Sequence, residues 1–157
     1  MRTITQQVFK FSELNEEAQA RAIEWARENE DTSFYADEGI ASVKAFADQF
    51  GVSLTNWQIG AWSHSFINTD ATPANFRGVK LSQAIESDGY YVGEILRDEF
   101  KAYFIQSTDA HDAFNRAIDY AVRAIVDDLE YRESDEALIE MIEANEYEFF
   151  ENGAIFV

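Results

Sequence analysis

Residues 2–11 alternate apolar and polar positions, with Ile4, Val8 and Phe9 set among Thr and Gln, and this period of two predicts a short opening strand. The period then changes. Asn15 is a good N-cap, Glu16 and Glu17 lie where a helix dipole favours anions, and Ala18, Ala22, Trp25 and Ala26 recur at helical spacing as a buried stripe. A second helix is expected from Thr32–Ser33, with Ile40, Val43, Phe46 and Phe50 inward and Gly51 at its left-handed end. Val52 to Ile67 is rich in β-branched and aromatic residues, which predicts two strands or one strand bent by a bulge near Gly60.

Residues 68–75 hold the only proline and read as a loop, followed by a strand over Asn75 to Leu81. Helical spacing returns over 91–106 and 109–131. The second of these is expected to be capped by Ser107 or Thr108 and to pack through Phe114, Ile118, Ala121, Ile125 and Leu129. A shorter acidic helix spans 134–144. The end, Tyr147 to Val157, places Asn152-Gly153 between apolar runs, a strong hairpin signal. Strands at both termini with helices between them predict an α+β fold, a small antiparallel sheet packed against several helices.

Length and composition bound this picture. A chain of 157 residues fits one domain, and 46% hydrophobic and 15% aromatic residues, including 13 Phe, supply ample core. There is no cysteine, so disulfides and thiolate metal sites are excluded. The N-terminus lacks an apolar stretch of signal-peptide length and no run approaches a membrane span, so the cytoplasm is the expected compartment.

Charge changes the picture most. Thirty acidic residues against 12 basic give a net charge of −18, a field that repels nucleic acid and anionic membrane and attracts basic surfaces. Direct binding to nucleic-acid phosphates or to membranes is therefore not expected. The acids concentrate at one end. Between Asp127 and Glu151 stand eleven carboxylates, among them Asp127, Asp128, Glu130, Glu133, Asp135, Glu136, Glu140 and Glu143, against the single base Arg132. Glu136, Glu140 and Glu143 fall on one helix face with no Lys four residues on to relieve their repulsion. Such a surface could be a solvated face that keeps the chain soluble, a patch for a basic protein, or an imitation of the phosphate backbone.

Three segments carry a resemblance. They are Phe11-Ser12-Glu13-Leu14-Asn15-Glu16-Glu17-Ala18-Gln19, Ala74-Asn75-Phe76-Arg77-Gly78 after the strand bearing Trp57 and Trp62, and the hairpin Glu148 to Gly153. About a quarter of the chain is covered, and in these places it resembles a family of small phage and prophage proteins. Relatives carry a glycine-rich Ser-Gln-Gly-Asp-Gly loop before the second segment, where this chain reads His64-Ser65-Phe66-Ile67-Asn68-Thr69-Asp70. The phage setting implies interference with a host protein. The expectation is an accessory protein whose acidic surface mimics DNA and occupies a host nucleic-acid-binding defence complex of restriction or CRISPR type. Tyr131 and Tyr147 are expected to be exposed and to add short-range affinity.

Other constellations are weighed beside it. Asp109, His111 and Asp112 could donate to a metal, although aspartates at a helix start more economically serve its dipole, and no cofactor or metal is expected. If Trp57 to Phe66 is extended, Trp62, His64 and Phe66 share one face, either as core, as a partner-binding patch, or as a pocket with Trp57 for a ligand-binding or hydrolytic domain. Carboxylates are too abundant to single out an acid–base pair. Nucleophile elbows and phosphate loops are lacking, so no catalytic residue is assigned. An acidic interaction module without mimicry is the remaining alternative, and open edges of the terminal hairpin permit a homodimer.

Overall fold

The computed structural model describes residues 1–80 and 91–156. Its elements run β1 (Phe9–Lys10), α1 (Glu16–Asn29), α2 (Ser33–Asp48), β2 (Leu54–Gln58), β3 (Phe66–Thr69), α3 (Gly93–Ser107), α4 (Ala110–Arg132), α5 (Asp135–Ala144) and β4 (Glu148–Phe149). The fold is α+β, with two small antiparallel sheets, β1 with β4 and β2 with β3. Two compact units are formed, a smaller one from Met1–Asp31 with Tyr131–Val157 and a larger one from Thr32–Glu130.

In the smaller unit Asn15 caps α1 by accepting the Ala18 N–H at 2.9 Å, a contact of a kind that contributes about 1 kcal/mol. Ala18, Ala22 and Ala26 form a narrow buried stripe, and the core also holds Phe11, Leu14, Leu138, Ile142 and Phe149. Trp25 is only partly buried and meets Tyr147 edge-on at 5.5 Å. The opening strand is far shorter than the alternation predicts. Phe9 pairs with Phe149 and Lys10 with Glu148, so in this antiparallel register residues before Phe9 would need partners after Phe150. There the chain already turns, with the Gly153 N–H donating to the Phe150 carbonyl, and Met1–Gln7 stay exposed and unpaired. The expected Asn-Gly hairpin is present: Phe149 bridges Ile155, and Gly153 has φ +87°.

In the larger unit Phe46, Phe50, Phe76, Phe100 and Phe114 make one aromatic cluster, with Phe46 stacked on Phe114 at 5.6 Å. All five expected inward residues of α4 are buried. Of the two alternatives for Val52 to Ile67, two strands form rather than one bent strand, and β2 and β3 pair antiparallel with a register shift between Leu54 and Asn56. The strand expected over Asn75 to Leu81 is replaced over Pro73–Phe76 by a 3-10 turn, because Asn75 Oδ1 accepts the Thr72 N–H at 2.9 Å and Pro73 pre-sets the turn's first residue. Leu81 lies outside the described residues. Neither Ser107 nor Thr108 caps α4. Thr108 takes the left-handed conformation that ends α3, and Asp109 Oδ1 accepts the Asp112 N–H at 3.1 Å. Among the described residues no helix is long and apolar enough to cross a membrane.

Candidate functional site

The acidic residues divide between the units. In the smaller unit Ser134 caps α5, its Oγ accepting the Ala137 N–H at 3.3 Å, and Asp135 and Glu136 occupy the favourable first turn. Leu138 and Ile142 are buried. At about 100° per residue, Glu136, Glu140 and Glu143 lie within about 60° of one another on the opposite side, and all three are exposed. They take part in no ion pair among the described residues. Glu143 stands in the last turn, where the helix dipole disfavours an anion.

Their neighbours are differently placed. Arg27 on α1 reaches Glu24 at 2.6 Å through Nη1 and pairs with Asp135 through Nη2, while its Nε–H donates to the Glu133 carbonyl at 3.2 Å. Asp135 is therefore engaged within the unit. Tyr131 is 48% exposed, as expected for a contact residue. Tyr147 is a correction to the same expectation: it is half-buried, because its ring packs against Trp25.

The carboxylate of Glu140 raises the Tyr131 phenol above its ordinary pKa, partial desolvation adds to this, and Glu136 acts in the same direction. These carboxylates disfavour a phenolate beside them. Glu140→Gln should thus move the Tyr131 titration down towards the ordinary tyrosine range, as followed by NMR of the Tyr131 ring. A titration left in place by that change would mean that Glu140 does not set the potential at the phenol.

In the larger unit Asp127 is exposed, Asp128 accepts the Tyr91 hydroxyl at 2.6 Å, and Glu130 accepts the Trp62 N–H at 3.3 Å. Asp128 and Glu130 thus each accept an internal hydrogen bond. The aromatic segment departs from the single extended face expected of it. Strand β2 ends at Gln58 and β3 begins at Phe66, and between them Trp62 has φ +57°, so Trp62, His64 and Phe66 do not share a strand face. Trp57, Trp62 and His64 are exposed rather than core, and Phe66 is half-buried. Lys44 Nζ lies 4.6 Å from the Trp57 ring centroid.

Asp109, His111 and Asp112 each have another engagement. Asp109 caps α4, Asp112 pairs with Arg116 at 3.1 Å, and His111 stacks on Phe76 at 5.4 Å. Among the described residues no group of three or more His, Asp or Glu could hold a metal ion. The sequence carried no signal for an open groove of about 810 Å³ in the smaller unit, lined by Gln6, Gln7, Asn15, Arg21 and Asn152 among others. Nor did it signal the left-handed backbone of Trp62, because a tryptophan at positive φ follows from no local rule. No protein family, curated protein or solved structure matches this chain.

Proposed function

We propose that this chain works by binding a basic protein, and that the outward carboxylates of α5 take the place of nucleic-acid phosphates in the channel of a nucleic-acid-binding complex. The supporting observation is the row Glu136, Glu140 and Glu143, exposed and without an ion pair among the described residues. At a rise of 1.5 Å per residue these charges stand about 5 Å apart along the axis, against about 3.4 Å per phosphate on one DNA strand. The smaller unit as a whole carries 15 carboxylates and 5 Lys or Arg, the larger 15 and 7. Repulsion within the row costs stability, and a solvated face needs no such alignment.

The resemblance to phage and prophage proteins directs the proposal towards a host defence complex of restriction or CRISPR type. Tagged protein should then retain one nucleic-acid-binding complex from bacterial lysate at low salt. That complex should be released as the Debye length falls from about 10 Å at 0.1 M towards 3 Å at 1 M, and competed away by duplex DNA. Retention that is indifferent to salt and to DNA would overturn mimicry.

A further inference from the structure

The connection between β2 and β3 is built to present one side chain. Gly60 anchors it: its N–H donates to Ser65 Oγ, and its carbonyl accepts from both Ser63 Oγ and Ser65 Oγ, each at 3.1 Å. A Cβ on Gly60 would meet Ser63 Oγ at 2.9 Å, so a larger residue would disturb this bonding. Two residues on, the Trp62 N–H donates to Glu130 Oε1, and the backbone is held at φ +57°, a conformation that bulky side chains rarely adopt. Burial does not explain the conformation, since Trp62 is 74% exposed. A large exposed aromatic whose backbone is bonded to a carboxylate and held in a costly conformation has the attributes of a binding anchor.

We infer that Trp62 and Glu130 together receive an arginine side chain of the protein partner, an inference that rests on the reading above that the partner is basic. Charge decides the occupant. A chain of net charge −18 selects cationic segments, an indole is the best aromatic acceptor for a cation, and the planar guanidinium can stack on it while directing N–H groups at a carboxylate. The same ribbon already shows the chemistry, with the Lys44 ammonium over Trp57. Trp62 thereby supplies the short-range affinity that half-buried Tyr147 does not, while the α5 carboxylates supply steering.

The test uses the full chain and a glycine-spaced peptide with three arginines, at physiological ionic strength, followed by NMR of the tryptophan indole and backbone amide signals. The Trp62 signals should move on titration. Trp62→Leu and Glu130→Gln, each checked for native circular dichroism, should weaken binding at least about fivefold. A peptide with citrulline in place of arginine should not bind, and a lysine peptide should bind more weakly. Unmoved Trp62 signals, or equal binding of the citrulline or lysine peptide, would overturn the assignment. Should Trp62→Leu disturb the fold, Trp62→Tyr keeps an aromatic face and should retain part of the affinity; complete loss would count against stacking. Reversal of the three α5 charges should leave the Trp62 response in place. If lysate binding ignores those charges while the arginine peptide still moves Trp62, the α5 reading fails and this one stands.

Discussion

Gly153→Ala should destabilise the smaller unit by about 2–5 kcal/mol, the sum of a left-handed conformation forced on a residue with a Cβ and of a steric clash that must be relieved. Gly153 has φ +87°, and a Cβ there would stand 2.1 Å from the Ala18 carbonyl oxygen and 2.8 Å from its carbon. Both are backbone atoms of α1, so no side chain can swing aside. The turn cannot easily yield either: the Phe150 N–H donates to the Ala154 carbonyl at 2.8 Å, and Asn152 Oδ1 accepts the Ala154 N–H at 3.0 Å. A loss of this size is a large fraction of a typical total stability of about 5–15 kcal/mol. Gly78 is the internal control. It has φ +77°, and a Cβ added there would meet nothing within 4 Å, so Gly78→Ala should cost only the conformational part, about 1–2 kcal/mol. Urea unfolding of the two variants separates the effects. Equal midpoints would mean that the turn does not press on α1.

Joint reversal of Glu136, Glu140 and Glu143 to lysine should lower retention of the basic partner at low salt by about a hundredfold, because steered encounter depends on local field as well as contact. The net charge moves from −18 to about −12, so the chain stays strongly acidic and a general loss of attraction would not explain the effect. Stability should stay within about 1 kcal/mol of the original. The row keeps like charges at i, i+3 and i, i+4 with the sign reversed, and a cation at position 143, which the dipole favours, is offset by one at position 136 in the first turn, which it disfavours. The expected signature is therefore a large loss of binding with little change in folding. Retention equal to that of the original protein would rule out this helix as the interface.

The helices were legible because each carries its own signals. Asn15 and Ser134 accept the N–H groups that their side chains suit, and the spacing of Phe114, Ile118, Ala121, Ile125 and Leu129 alone gives the buried side of α4. Strands depend on a partner. Alternation over residues 2–11 is a real pattern, yet only Phe9 and Lys10 find opposite residues before β4 reaches its turn. The strand expected near Asn75 fails for a local reason, since Thr72 and Pro73 start a 3-10 turn.

The candidate site was legible in charge and illegible in detail. Spacing placed Glu136, Glu140 and Glu143 together. Nothing local indicated that Arg27, more than a hundred positions away, would engage Asp135, or that Trp25 would cover Tyr147. Period-two reasoning also assumed an extended Trp62, whereas Gly60, Ser63 and Ser65 fold the chain back on itself there.

The pairing of Phe9 with Phe149 has a consequence for the order in which the polypeptide acquires structure. The smaller unit is discontinuous: its two stretches flank the whole of the larger one. While the intervening stretch of roughly 100 residues is still a flexible coil, bringing its ends together carries an entropic cost of about 4 kcal/mol plus a constant. The larger unit has no such handicap, being one continuous stretch from Thr32 to Glu130, and it can condense before the two stretches of the smaller unit meet. Condensation shortens the effective loop for the ends. A chain in which only the larger unit has condensed would thus carry Phe11, Leu14 and the alanine stripe of α1 uncovered until α5 and β4 pack on them, and such bare apolar surface is open to association with other chains.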